Sequence, residues 1–138
     1  METVNYEVYV SLEVAKLLKD AGFDWKQYSF YNSKGILMNG AFAANWNDIC
    51  YMDGGYSSKV SAPTLEVAQR WLREVKNIRL LVETGPELYI VESYTLAYGY
   101  WTPTCLLHDG IEYERFYTYE KALEAGIKKA LEIILKEK

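Results

Sequence analysis

The sequence predicts a single α+β domain over residues 1–138, in which an antiparallel sheet packs against three amphipathic helices. Half of the residues are apolar, which is enough for one core in a chain of this length. Three separate segments repeat apolar residues at the i, i+3, i+4, i+7 spacing of a buried helix face. Between them, segments rich in valine, isoleucine and tyrosine are joined by short turns, which is typical of antiparallel strands.

Each predicted helix begins with the same local signal. A serine or threonine stands where its hydroxyl can cap the first turn, and a glutamate two residues later lies near the positive end of the helix dipole. The three starts read SLEVA at Ser11, TLEVA at Thr64 and TYEKA at Thr118. The strands around them do not align, so we interpret the repeat as convergence on a favourable helix start rather than as a duplicated module.

The apolar stripes predict which side of each helix faces the core, and Gly22 and Asn77 are predicted to end the first two helices. The inward residues are Val14, Leu17, Leu18 and Ala21; then Ala68, Trp71, Leu72 and Val75; then Ala122, Leu123, Gly126, Ile127, Ala130, Leu131 and Ile134.

The strand predictions follow from alternation and turn residues. They comprise a first strand through Val4, Tyr6, Val8 and Val10; a hairpin QYSFY–NSKG–ILMN; and a meander of three or four strands built from NIRLLVE, LYIVESYTLAY and the hairpin CLLH–DG–IEYERFY. The segment from Gly40 to Ala62 is predicted to be a long excursion with little regular structure and one candidate strand at Ile49–Met52.

Charge and composition narrow the classes of function. The net charge of −4 argues against general attraction to nucleic-acid phosphates or anionic membranes. The first ten residues do not resemble an export signal, and no apolar run approaches the roughly 20 residues that span a bilayer. Cys50 and Cys105 are expected to be reduced thiols. These features predict a cytoplasmic protein that has no contact with the membrane.

The groupings that could support catalysis or bind a metal are weak. Cys105 and His108 have odd spacing on a predicted strand and no second histidine to complete a zinc site. The remaining candidates are the glycine-rich loop MDGGY and the carboxylate pairs Asp48–Asp53 and Glu112–Glu114, for which a turn and a solvated surface are the simpler interpretations. The sequence therefore predicts no catalytic residue, no metal site and no cofactor.

Tyrosine is unusually frequent, with 13 copies. The stretch YTLAYGYWTP is predicted to put Tyr94, Tyr98 and Tyr100 on one side of a strand, next to Trp101. Either a helix covers that side or it forms an aromatic partner surface. The leading hypothesis is a non-enzymatic protein-interaction protein that binds a protein partner or self-associates as a homodimer.

The alternative hypothesis is a nucleic-acid-binding accessory protein. The second helix and the residues after it carry Arg70, Arg73, Lys76 and Arg79, interleaved with an aromatic residue. Glu66 is placed to pair with Arg70, however, and the whole chain is acidic, so a solvated helix face is the favoured interpretation.

Three long segments carry a resemblance to a known family. They are YVSLEVAKLLKDAGFD (9–24), SAPTLEVAQRWLREVKNI (61–78) and TYEKALEAGIKKALEIIL (118–135). In this order they resemble an uncharacterised family of small proteins from phages, prophages and other mobile elements of gut bacteria. The resemblance implies a mobile-element origin and action in the cytoplasm of a bacterial host. It implies no activity, cofactor or catalytic residue.

Overall fold

The computed structural model describes residues 7–48, 51–52, 55–56, 59–84, 89–97, 100–103 and 116–136. The described helices are α1 (Leu12–Asp20), α2 (Leu65–Val75) and α3 (Tyr119–Lys136). The described strands are β1 (Gln27–Tyr31), β2 (Leu37–Ala44), β3 (Tyr51–Met52), β4 (Gly55–Tyr56), β5 (Val60–Ser61), β6 (Ile78–Thr84), β7 (Tyr89–Ala97) and β8 (Tyr100–Pro103). None of these helices combines the length and the apolar character needed to cross a bilayer.

The predicted helix starts and ends are confirmed. The hydroxyls of Ser11, Thr64 and Thr118 each accept a hydrogen bond from the backbone N–H three residues later, at 3.3, 3.2 and 3.1 Å. These bonds satisfy donors that have no partner within the helix. Gly22 and Asn77 have φ values of +98° and +58°, so each reverses the chain in the left-handed conformation directly after a helix.

The strands form antiparallel sheets in the orders β2-β1-β5, β3-β4 and β6-β7-β8. Together with the three helices they make an α+β fold, as predicted. The hairpin β1–β2 turns at Asn32, whose side-chain Oδ1 accepts hydrogen bonds from the backbone N–H groups of Lys34 and Ile36. Gly35 completes this turn with a φ of +77°.

One hydrophobic cluster joins the three helices to the sheet β6-β7-β8. Trp71 and Ile127 are both fully buried in it, as predicted. The strands contribute Ile78, Leu80 and Val91 to the same cluster, which defines the inner face of this sheet. Because side chains alternate along a strand, Arg79, Leu81, Glu83, Glu92 and Tyr94 occupy the opposite, outer face.

Glycine lets α3 lie close to the inner face. A Cβ atom built on Gly126 would stand 2.7 Å from Cγ2 of Val91, closer than van der Waals contact allows. Gly126 can face the sheet at this short distance because it has no side chain.

Two sequence predictions near the first and second helices are wrong. In place of a strand through Val10, the described residues 7–10 form a single antiparallel bridge, between Tyr9 and Thr64. The other residues of that prediction, Val4 and Tyr6, lie outside the described part. Val75 is 47% exposed rather than buried, because it is the last residue of α2 and the chain turns away at Asn77.

The segment 40–62 contains more regular structure than predicted. Strand β2 continues to Ala44, and the candidate strand at 49–52 is confirmed in part as β3, which pairs with β4. The last hairpin, CLLH–DG–IEYERFY, falls mostly outside the described residues. Its end is described: Phe116 exchanges two backbone hydrogen bonds with Tyr89, at 2.8 and 2.9 Å.

Candidate interaction surface

The β1–β2 hairpin carries the main group of exposed apolar side chains among the described residues. Tyr28 and Phe42 are 62% and 59% exposed. Five residues form what we call the hairpin surface: Tyr28, Ile36, Leu37, Met38 and Phe42. Their relative exposures all exceed one third, and most residues of β2 are exposed, so the hairpin surface wraps around the strand. Grouped apolar exposure of this kind is characteristic of a contact site for another molecule.

Strand β2 is also an edge of its sheet. Among the strands that the structure describes, in the order β2-β1-β5, it has a neighbour on one side only. An edge strand presents a row of backbone N–H and C=O groups that can pair with another strand. Proteins commonly protect such an edge with lysine, proline or a bulge. From Gly35 to Asn47 this chain has no charged residue and no proline, so its only such protection is a bulge.

That bulge is held by Trp46. The β1–β2 register shifts between Gln27 and Ser29, which pair with Ala44 and Asn39. The indole Nε1 of Trp46 donates a 2.6 Å hydrogen bond to the carbonyl of Gln27, inside the irregular part. A Cβ atom on Gly40 would lie 2.8 Å from Cζ2 of Trp46, so the ring packs directly on the backbone there.

Aromatic packing fixes the position of Trp46. Its ring centroid lies 4.5 Å from that of Phe30 and 5.5 Å from that of Phe42, and the Lys59 ammonium stands 5.0 Å from its ring. The backbone N–H of Trp46 donates to Oγ of Ser61 at 3.1 Å. The hairpin surface is therefore attached to an ordered aromatic cluster rather than to a free loop, and little order has to be gained when a partner binds.

The hairpin surface has no clear signature in the sequence. The hairpin itself was predicted, but a mixed run of apolar residues does not show whether another element covers it. The absence of charge from Gly35 to Asn47 was the available signal. A hairpin strand that faces water on both sides normally carries charged residues, so their absence indicates either burial or a contact with a partner.

The predicted partner surface of Tyr94, Tyr98, Tyr100 and Trp101 is arranged differently from the expectation. The chain reverses after Ala97, so Tyr100 starts the neighbouring strand β8, opposite Ala97. Trp101 stands opposite Leu96. Tyr94 therefore stands on β7, whereas Tyr100 and Trp101 stand on β8. The prediction that these residues form one partner surface stays a prediction, and Tyr98 lies outside the described residues.

On the outer face, Tyr94 has a local partner. Its hydroxyl donates a 2.9 Å hydrogen bond to Oε2 of Glu92, and this bond raises the pKa of Tyr94 above its ordinary value. The charged residues nearby are of both signs, because Arg79 pairs with Tyr94 across the ladder and Glu83 lies on the same face. This face is therefore more polar than the hairpin surface.

The four basic residues do not form one strip. Arg70 pairs with Glu74 at 3.2 Å rather than with Glu66, the partner predicted from the sequence. The Lys76 ammonium lies 5.5 Å from the ring of Trp71. Arg79 stands on the outer face of the sheet, whereas α2 packs its buried side into the cluster that contains the inner face. Arg70 and Arg73 of α2 and Arg79 of β6 therefore stand on different elements of the fold.

A polar groove of about 920 Å³ adjoins the hairpin surface, between β1 and the start of α2. Glu7, Tyr9, Tyr28, Glu66 and Arg70 are among its lining residues. The Tyr9 hydroxyl donates to Oε2 of Glu7 at 2.9 Å. Since polar atoms make up the larger part of its lining, the groove is better suited to be the wet rim of a protein contact than a small-molecule pocket.

The described residues contain no group of three histidine, cysteine, aspartate or glutamate side chains placed to hold a metal ion. The predicted groupings at Cys105–His108 and Glu112–Glu114 lie outside the described part of the chain, as do Cys50 and Asp53. The interpretation that they form neither a catalytic nor a metal site stays a prediction from the sequence.

Comparison with known proteins adds no identification: no family model, no curated protein and no solved structure matches this chain.

Proposed function

We propose that this chain is a non-enzymatic protein-interaction protein and that the hairpin surface is its contact site. One observation supports the proposal above all. Exposed apolar side chains coincide with an uncharged edge strand, so both side-chain burial and backbone hydrogen bonds are available to a partner. The polar groove beside the hairpin supplies groups suited to the rim of the contact.

The resemblance to mobile-element proteins adds a biological context to the proposal. We propose an accessory protein of phage or prophage origin that acts in the cytoplasm of a bacterial host. The acidic net charge is consistent with a protein partner rather than with nucleic acid. The alternative nucleic-acid role is the weaker proposal, because its four basic residues lie on different parts of the fold.

Site-specific photo-crosslinking tests the proposal. A photoreactive phenylalanine analogue replaces Phe42 in the full chain, in living host cells. The matched control carries the analogue at Tyr117, an aromatic residue that is 81% exposed and stands outside the hairpin, two residues before α3. We expect protein adducts from position 42 in excess over position 117. The same adducts from both positions, or none from position 42, would contradict a contact at the hairpin surface.

A further inference from the structure

We propose that the hairpin surface binds a second copy of this chain, and that the two β2 strands pair antiparallel about a two-fold axis near Asn39. The inference rests on the proposed protein-interaction function and specifies its partner. The backbone N–H and C=O groups along an edge strand can form hydrogen bonds with another extended strand, so a strand is the partner that this edge favours.

The other described edges favour β2 itself as that strand. Val60 and Ser61 of β5 are buried, so the opposite edge of the same sheet cannot receive a partner. In the sheet β6-β7-β8 the edge strand β6 is already contacted by α2, because Nε2 of Gln69 donates a 2.8 Å hydrogen bond to the carbonyl of Leu80. Among the edges whose side chains the structure describes, β2 alone is exposed, uncharged and free.

Charge also favours a second copy at this position. Two chains of net charge −4 repel each other, and like charges placed opposite on paired strands destabilise the pairing. Residues 35–47 carry no charge, so two β2 strands can pair without repulsion between like charges on facing residues. A two-fold axis at Asn39 brings the end of β2 that adjoins Ile36 towards the end that carries Phe42 in the second copy, and the reverse. A β-branched residue facing an aromatic one is a favourable cross-strand pair.

The bulge limits the strength of this association. Regular pairing with β1 covers Leu37 to Asn39, and the strand is displaced beyond them. The new ladder is therefore short, and the exposed side chains of Ile36, Met38 and Phe42 contribute most of the buried apolar area. We expect a reversible dimer whose population depends on concentration rather than an obligate one.

Sedimentation velocity across a dilution series measures the association. We expect wild type to shift from monomer to dimer as its concentration rises. Met38→Lys brings two like charges close to the two-fold axis, and Phe42→Lys puts a charge into the apolar contact with the second copy; each should weaken the dimer by about tenfold or more. Val75→Lys is the matched control, because it adds the same charge at an exposed apolar residue of α2 and should leave the dimer unchanged. Circular dichroism confirms that each variant is folded.

Disulfide trapping tests the register. In a background with Cys50→Ser and Cys105→Ser, Asn39→Cys should give a disulfide-linked dimer under mild oxidation, because the two Cα atoms at the axis lie within disulfide range. Tyr117→Cys should not. A wild-type monomer at every concentration, or a dimer that Phe42→Lys leaves intact, would overturn the inference. If position 42 then still crosslinks to a different protein, the proposed function stands and only the second copy is excluded.

Discussion

The backbone N–H of Ser11 donates a 2.8 Å hydrogen bond to Oε1 of Glu124, although the two residues are 113 positions apart. A second contact reinforces it, since Nζ of Lys128 lies 2.9 Å from Oε1 of Glu13. The first turn of α1 is thus held to α3 by one carboxylate and one ammonium.

Glu124→Ala should lower the free energy of unfolding by about 1 kcal/mol, because it removes a charged acceptor from a backbone N–H at a helix start. Urea denaturation measures the change. Glu132→Ala is the control, since Glu132 makes only a 4.0 Å contact with Lys128 and should have a much smaller effect. Equal losses from the two variants would show that the hydrogen bond to Ser11 has no special effect on stability.

Gly126→Ala should be destabilising by about 1–3 kcal/mol, although alanine is normally the better helix former. The added methyl group would lie 2.7 Å from Cγ2 of Val91, and α3 would have to move away from β7. Thermal and urea unfolding report the sign directly. In a Val91→Ala background the cost should shrink, because the opposing methyl groups are gone. A gain in stability from Gly126→Ala alone would contradict the close packing described here.

Gly40→Ala should loosen the hairpin. Its methyl group would meet Cζ2 of Trp46 at 2.8 Å and the carbonyl oxygen of Tyr28 at 3.2 Å, so the ring or the strand must shift. Hydrogen exchange should become faster at the amides of β1 and β2, while the amides of α3 stay protected. Ala41→Ser, at an exposed neighbouring position, is the control and should change neither. Unchanged protection in Gly40→Ala would show that the bulge tolerates a side chain.

Stability should fall at alkaline pH, in part through Tyr31. Its hydroxyl donates a 2.6 Å hydrogen bond to the carbonyl of Val10, and burial raises the pKa of Tyr31 above its ordinary value of 10.0. The folded state therefore holds this proton more tightly than the unfolded state. The resulting stability is present below the ordinary pKa and is lost as the pH rises through the folded pKa.

Tyr31→Phe isolates this contribution. At neutral pH the variant should be less stable than wild type, because the hydroxyl's hydrogen bond to Val10 is lost. Above about pH 10 the difference should shrink, since wild type then loses the same bond. Urea midpoints measured on both proteins at neutral and alkaline pH give the comparison. A difference that stays constant with pH would show that Tyr31 does not titrate with folding.

The helices were predictable because the information that specifies them is local. Ser11, Thr64 and Thr118 cap the turns that directly follow them, and the buried stripe is contained within each helix. The conformation of Asn77 was likewise signalled by its own side chain, since asparagine tolerates positive φ. Local signals of this kind need no knowledge of the rest of the fold.

The candidate site was less predictable because it depends on contacts distant in sequence. Trp46 is positioned by Gln27 and Ser61, which no local pattern connects to it. The exposure of Phe42 follows from what the rest of the chain leaves uncovered. Tyr100 could not be assigned to its strand until the reversal between β7 and β8 was known, because the sequence alone predicts one continuous strand from Tyr94 onwards.

Helix α3 has a consequence for how the protein forms during synthesis. Leu123, Ile127 and Leu131 are fully buried among residues of α1, α2 and β6, yet they are translated after all of those elements. A nascent chain that has not yet exposed α3 leaves the apolar sides of its earlier elements facing water. Closure of the core must therefore wait until α3 emerges from the ribosome, and in that interval the incomplete chain is open to chaperones and proteases.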